Sequence, residues 1–201
     1  MPSQPTLILA SSSPYRVELL GRLGLAFEAH AHRCDEAQLK VHQPAPEVLA
    51  SELARRKALS LVEAHPGALI LGSDQVAVDA DGAILSKPGT VERAVAQLKR
   101  LRGREHRLVT AVALVGPDGQ VIDEALNIHT MTLRGDLSDA ELRAYVDRDR
   151  PLDCAGSYKI ESLGIALFQA IRGEDFTAIV GLPMVAVVSM LRRAGLAVFE
   201  P

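Results

Sequence analysis

The apolar run Thr6 to Ala10 passes directly into Ser11, Ser12, Ser13, Pro14, Tyr15 and Arg16, then into a helix-periodic stretch with Val17, Leu19, Leu20 and Leu23. This is the pattern of a buried strand turning into a helix. Ser13 suits the N-cap, and Pro14 suits the first helical position, where a missing N–H costs nothing. Further strand-like runs follow at Leu25 to His32, Ala68 to Val78, Arg107 to Val115, Val121 to Leu133 and Leu163 to Ile171. Helical patterns lie at Pro46 to Ala64, Thr90 to Leu101 (capped by Thr90), Leu137 to Asp149 (capped by Ser138 or a neighbour) and Pro183 to Ala194, the last closed by Gly195. Arg33 to Pro46 is polar and proline-containing and reads as a loop. Gly116-Pro117-Asp118-Gly119 joins two strand runs as a hairpin, which makes the sheet mixed. The alternation predicts an α/β fold, a mixed sheet flanked by helices. At 201 residues it fits one compact domain or two lobes sharing a core.

Lys plus Arg is 22 and Asp plus Glu is 25, a net charge of −3. A mildly acidic chain lacks the concentrated positive charge that binds nucleic-acid polymers, though a local basic pocket still suits a small polyanion. The two cysteines, Cys34 and Cys154, form no CxxC pair, so a disulfide framework is not expected and a reduced cytoplasm is the default. Leu7 to Ala10 is too short for a signal peptide. Ile179 to Leu191 contains Gly181 and Pro183 and falls short of the roughly 18 residues of a membrane span, so no membrane partner is expected. His30, His32 and His42 lie close together without a carboxylate or cysteine at metal spacing and read as structural.

Polar residues interrupt the apolar pattern in a few places. The Ser11–Ser13 turn offers hydroxyls, free N–H groups and a helix N-terminus with Arg16 one turn inside, which suits a phosphate or an ordinary capped helix. Asp74 follows the run Ala68 to Leu71, and Val76 to Val78 resumes it. Either the strand continues and buries a carboxylate that needs compensation, or it ends at Leu71 in a surface turn. Gly72 would let a ligand or another backbone approach. Lys57 falls within the apolar stripe of Ala50, Leu53, Ala54, Ala58 and Leu61, where a lysine commonly snorkels to solvent. Lys87, before Pro88, is an extended residue ahead of a helix, or simply an exposed loop lysine. Asp35-Glu36 adds two carboxylates in the polar loop. Cations for phosphate and carboxylates for a hard metal point together to phosphoanhydride chemistry. There is no Walker motif.

With these residues in place, the chain resembles the Maf family of nucleoside triphosphate pyrophosphatases from near its N-terminus to about Gly195. The resemblance rests on Leu7 to Arg16, Asp35-Glu36, Ala54 to Lys57, Gly72-Ser73-Asp74-Gln75, Ser86-Lys87-Pro88, Cys154 to Tyr158 and Val180-Gly181-Leu182-Pro183. It implies one Maf-like domain over residues 1–201, with an inosine triphosphate pyrophosphatase-like fold of two lobes around a central cleft. It also implies hydrolysis of the α–β phosphoanhydride of a nucleotide to a monophosphate and diphosphate. Asp74 would activate water, and Arg16, Lys57 and Lys87 would hold the triphosphate. Ser11, Ser12, Ser13, Tyr15, Gln75 and Glu161 would contact substrate. Glu36 and Asp74 would hold Mg²⁺ or Mn²⁺, and a homodimer is implied. Asp74-Gln75 and Glu161 resemble the subgroup acting on 7-methyl-GTP. Tyr15 stands where that subgroup usually has Trp, and Tyr158 where it has Phe. The alternatives are a dTTP/UTP or broad modified-nucleotide pyrophosphatase of the same family, and a non-catalytic nucleotide-binding regulator of cell division.

Overall fold

Strand alternation along Leu7–Leu9 (β1) and Leu69–Val78 (β3) sorts the side chains of the first part of the chain into two layers. The strands pair in parallel, Leu7 with Leu69, Ile8 with Ile70 and Leu9 with Leu71, so matching parities lie side by side. Leu7, Leu9, Leu69 and Leu71 pack with Leu19 and Leu20 of α1 (Pro14–Gly21) and with Val187, Met190 and Leu191 of α7 (Met184–Arg193). Ile8, Ala10, Ala68 and Ile70 pack instead with Ala58 and Leu61, at the end of α3 (Pro46–Leu59) and just after it. Each such Leu or Ile contributes about 1.5–3 kcal/mol relative to exposure.

The computed structural model describes residues 5–40 and 44–199. The remaining elements are β2 (Phe27–Ala29), α2 (Glu36–Lys40), β4 (Ile84–Leu85), α4 (Val91–Leu101), β5 (Glu105–Val115), β6 (Val121–Leu133), α5 (Asp139–Asp149), β7 (Phe168–Arg172) and α6 (Thr177–Val180). The strands form a seven-stranded sheet in the order β2-β1-β3-β5-β6-β7, with β4 on β3. β1 runs parallel to β2 and β3, whereas β4 is antiparallel to β3 and β7 to β6. The sheet is mixed and flanked by helices, as the alternation predicts. Two compact units divide the chain. The first holds the residues through Gln75, Thr110–Asn127 and those from Asp175 onward; the second holds Val76–Val109 and Ile128–Glu174.

Three expectations need correction. The polar stretch after Arg33 contains the short helix α2, because Asp35 Oδ1 accepts from the N–H groups of Ala37 (3.0 Å) and Gln38 (3.4 Å) and so starts a turn. His42, in the same stretch, lies outside the described residues. Helix α3 stops at Leu59 rather than Ala64, where the Ser60 hydroxyl donates to the Lys57 carbonyl at 2.7 Å. Leu163–Leu167 is a 3₁₀ turn rather than strand: its buried residues, Gly164 and Leu167, are three apart, which matches three residues per turn. Ser13 does occupy the N-cap of α1 with Pro14 inside it, but its side chain makes no capping bond.

In the second unit, Thr90 Oγ1 caps α4 by accepting from Arg93 N at 3.3 Å, and Ser138 and Glu141 form a reciprocal capping box on α5. A polar aromatic cluster lies in its interior, among buried aliphatic side chains such as Leu98, Leu101 and Leu142. His106 is 1% exposed, and its Nε2 lies 2.8 Å from the Tyr158 hydroxyl, whose ring packs edge-on against Phe168 at 4.8 Å. Burial pushes the His106 pKa down to about 4, with Asp79 opposing. An unfolded histidine titrates near 6.5, so between those values the unfolded chain binds the extra proton. Stability from this site is full above about pH 6.5 and falls by about 3 kcal/mol as the pH drops to about 4. Denaturant unfolding across that window is expected to show this slope in the parent and a reduced slope in His106→Phe. An unchanged slope would assign the acid loss to other groups.

Candidate active site

The alternation that builds the core also builds the site. Continued along β3, it places Ser73 and Gln75 with the layer of Leu69 and Leu71, and Gly72 and Asp74 with the layer of Ile70, toward α3. β3 runs unbroken through Asp74, which is 8% exposed, so the reading of a surface turn after Leu71 is overturned. Gly72 is where α3 touches the strand. A Cβ there would fall on the Ala54 carbonyl oxygen and 2.8 Å from Ala58 N. The approach that Gly72 permits is thus by backbone, and it brings the helix carrying Lys57 against the strand carrying Asp74.

Lys57 does not snorkel. It is 4% exposed, and its Nζ lies 2.6 Å from Asp74 Oδ1 and 2.7 Å from Glu36 Oε1. The ammonium is the cation that compensates the buried carboxylate. Glu36 reaches it because Arg33 N donates to the Ser60 hydroxyl at 3.0 Å, tying the chain ahead of α2 to the end of α3. His32 completes this corner, with Nε2 3.4 Å from Glu36 Oε1. Its pKa is lowered, first by burial and then by Lys57. His32 was missed in the sequence: its partner sits four residues on across an irregular turn, which no helix period announced.

Arg16 closes the cluster from α1. Its Nε donates to the Gly181 carbonyl at 3.0 Å and its Nη1 to Ser11 Oγ at 3.4 Å. Burial pulls the guanidinium below its ordinary pKa, while Asp74 and then Glu36 oppose that shift. An arginine at such a site stays charged. Ser11 also accepts from Ser13 N at 3.1 Å, so the serine turn folds back on its own hydroxyl.

On the opposite layer, the fully buried Ser73 hydroxyl lies 2.9 Å from the carbonyls of both Ala111 and Gly181. The Gln75 amide nitrogen, with two N–H bonds to give, lies 2.8 Å from Ala178 O and 3.0 Å from both Ile179 O and Thr110 Oγ1. Gln75 fastens α6 to β3, and Ser73 fastens Gly181, whose carbonyl also accepts from Arg16.

Ser11, Arg16, Glu36, Lys57 and Asp74 therefore come together within the first unit. Ser12 is exposed, and Ser13 and Tyr15 are half-buried. Lys87 and Glu161 belong to the second unit, where both are exposed. Tyr158, read as an aromatic neighbour of the specificity motif, is interior. The sequence also set the histidines apart from any carboxylate. That is corrected: Glu28 Oε2 lies 2.9 Å from His30 Nε2, and His65 packs against His30. The alternation of Glu28 and His30 was legible, but the contact with a residue on the far side of α3 was not. Among the described residues, no helix is long and apolar enough to cross a membrane.

A buried lysine thus lies between two carboxylates, beside an arginine and a serine turn. The profile described as Maf-like protein matches residues 6–194, and the chain belongs to the Maf family. A 7-methyl-GTP pyrophosphatase of Xanthomonas axonopodis pv. citri is 50% identical over 191 residues, covering 95% of this chain and 97% of that one. Proteins of the same name from Pseudomonas aeruginosa (46%, covering 95% and 97%) and Syntrophotalea carbinolica (42%, covering 96% of each) align over nearly the whole chain. A solved nucleoside-triphosphatase / dITP/XTP pyrophosphatase from Mycobacterium abscessus has 20% identity and a TM-score of 0.40, covering 66% of this chain and 76% of that one; the likeness is too loose to bear on the site.

Proposed function

We propose that this protein hydrolyses 7-methyl-GTP to 7-methyl-GMP and diphosphate, as a single Maf-like pyrophosphatase domain. The observation that carries the chemistry is the Glu36–Lys57–Asp74 bridge, with ammonium-to-oxygen distances of 2.7 and 2.6 Å. The near-complete alignment with relatives of that name supports the substrate.

Lys57 grips Asp74 through Oδ1, which holds the carboxylate in place and leaves Oδ2 as the proton acceptor. In this reading a water attacks the α-phosphorus of the nucleotide. Its proton passes to Asp74, the bridging P–O bond breaks, and the electron pair leaves on diphosphate. Arg16 and Lys57 offset the charge that develops on the phosphoryl oxygens, and Ser11 to Ser13 present hydroxyls, the N–H groups of Ser11 and Ser13 being given to Leu9 O and Ser11 Oγ. Lys87 adds a further cation for the phosphates.

Two carboxylates already converge on one positive charge, the Lys57 ammonium. An all-oxygen donor pair of this kind fits Mg²⁺ or Mn²⁺. Glu36 and Asp74 would hold the ion, which when bound neutralises phosphate oxygens.

Glu161 is assigned to the base. N7-methylation gives the purine a positive charge, and a carboxylate accepts from the guanine N1–H and N2–H₂ edge while matching that charge. Tyr15 would stack on the cationic ring, worth about 0.5–2 kcal/mol. Glu161→Gln is expected to lower kcat/KM for 7-methyl-GTP about tenfold more than for GTP. Steady-state kinetics on both nucleotides checks this, and equal losses would remove Glu161 from base recognition. Diphosphate release from a nucleotide panel that includes 7-methyl-GTP tests the whole reading. Preference for dTTP or UTP would overturn the substrate, and no turnover of any nucleotide would overturn the activity.

A further inference from the structure

Glu28, His30 and His65 bring three metal-ligand side chains together in the first unit, and the reaction above uses none of them. Glu28 lies on β2 and His30 just beyond it, two residues apart, so strand alternation turns both to the same side. Glu28 Oε2 is 2.9 Å from His30 Nε2. His65 comes from the turn after α3, and its ring centre is 4.4 Å from that of His30 with the planes tilted by 46°. One ligand atom from each residue lies within 4.8 Å of the other two. Backbone bonds anchor the main chain at both histidines: His30 N donates to Leu9 O at 2.9 Å, and His65 N to Leu61 O at 3.0 Å. The histidines are half-buried and the glutamate exposed, so an ion has access from solvent and room for a water ligand.

The donor set selects the ion. Two imidazole nitrogens and one carboxylate suit a borderline transition ion, whereas Mg²⁺ and Ca²⁺ favour oxygen ligands throughout. Zinc takes such a set tetrahedrally, with ligands at about 2.0–2.2 Å and a fourth position left to water. Tetrahedral ligand atoms at those distances lie about 3.3–3.6 Å apart, so atoms now within 4.8 Å of one another must close by about an ångström. We propose that Glu28, His30 and His65 form a zinc-binding site, apart from the Glu36–Asp74 pair. Zinc here ties the end of β2 to the turn after α3. β2 leads into the stretch that carries Glu36, and the turn follows the helix that carries Lys57, so the ion braces the corner that the proposed function uses.

Tag-free protein is titrated with Zn²⁺ against a chromophoric chelator near neutral pH, with thermal melts in parallel. The parent is expected to take up one equivalent that millimolar Mg²⁺ does not displace. His30→Ala and His65→Ala should each weaken the affinity about tenfold or more, while Glu36→Gln keeps it. Zinc should raise the parent's Tm and leave both histidine variants unmoved. Affinity within about twofold of the parent in both histidine variants, or weakened in Glu36→Gln alone, overturns the site. Histidine side-chain NMR on the parent supplies a readout free of any variant: zinc must perturb the ring signals of His30 and His65, and failure to move them also overturns it. None of these readings depends on nucleotide turnover, so the site can fail while the pyrophosphatase reading stands, and the reverse.

Discussion

Asp74→Asn is expected to lower kcat for nucleotide hydrolysis by about three orders of magnitude, within the range that a positioned general base supplies. The replacement keeps the shape of the side chain. Its carbonyl oxygen can still accept from Lys57, and Lys57 keeps Glu36 at 2.7 Å, so the bridge is weakened but not emptied. What the amide loses is basicity, which is the property a water-activating group needs. The variant should therefore fold, with a Tm within a few degrees of the parent, and should still bind nucleotide. Diphosphate release together with nucleotide binding makes the measurement. Parent-like turnover would remove Asp74 from the mechanism, and loss of binding as well as turnover would recast it as a substrate-holding group. The same experiment separates an enzyme from a nucleotide-binding regulator, since a pure binder has no use for a base at this position.

Gly72→Ala should be the most damaging small substitution in the first unit. Its added methyl meets the Ala54 carbonyl and the Ala58 amide, which are backbone atoms of α3 and cannot swing aside as a side chain could. Either the helix lifts off the strand or β3 bends, at about 3 kcal/mol, the top of the usual range for overpacking. In a chain of 201 residues that is a fall in Tm of about 10 °C. Activity should fall more steeply than stability, because lifting α3 withdraws Lys57 from Asp74, now 2.6 Å away. Gly21→Ala is the matched control, at a helical position where a new Cβ meets nothing within 4 Å. Calorimetry on both variants decides the point. A small Tm change in Gly72→Ala would mean the contact relaxes cheaply and does not place the lysine.

The chemistry of short segments was readable along the chain. The strand-to-helix turn at Ser11 to Pro14, the Thr90 and Ser138 caps and the hairpin at Gly116 to Gly119 all formed where their residues pointed. Capping, proline geometry and hydrophobic period act over a few residues, so a linear reading captures them. The same reading failed where two short-range signals compete. Leu163–Leu167 is apolar enough for a strand, yet its buried positions recur every third residue. Asp35 looked like loop charge, yet its carboxylate starts α2.

The resemblance named the charged residues of the candidate site, and packing decided their surroundings. Taken alone, Lys57 had the look of a snorkelling lysine and Asp74 was as consistent with a surface turn as with a strand. The pairing of the two spans 17 residues, and it exists because parallel registration of β1 with β3 sets Asp74 toward α3, and because Gly72 lets that helix come close. His32 beside Glu36 and His65 beside His30 arise in the same way. A chain states which groups can ionise or ligate; which of them share a low-dielectric corner follows from contacts between distant segments, because burial and charge pairing depend on separation in space and not along the backbone.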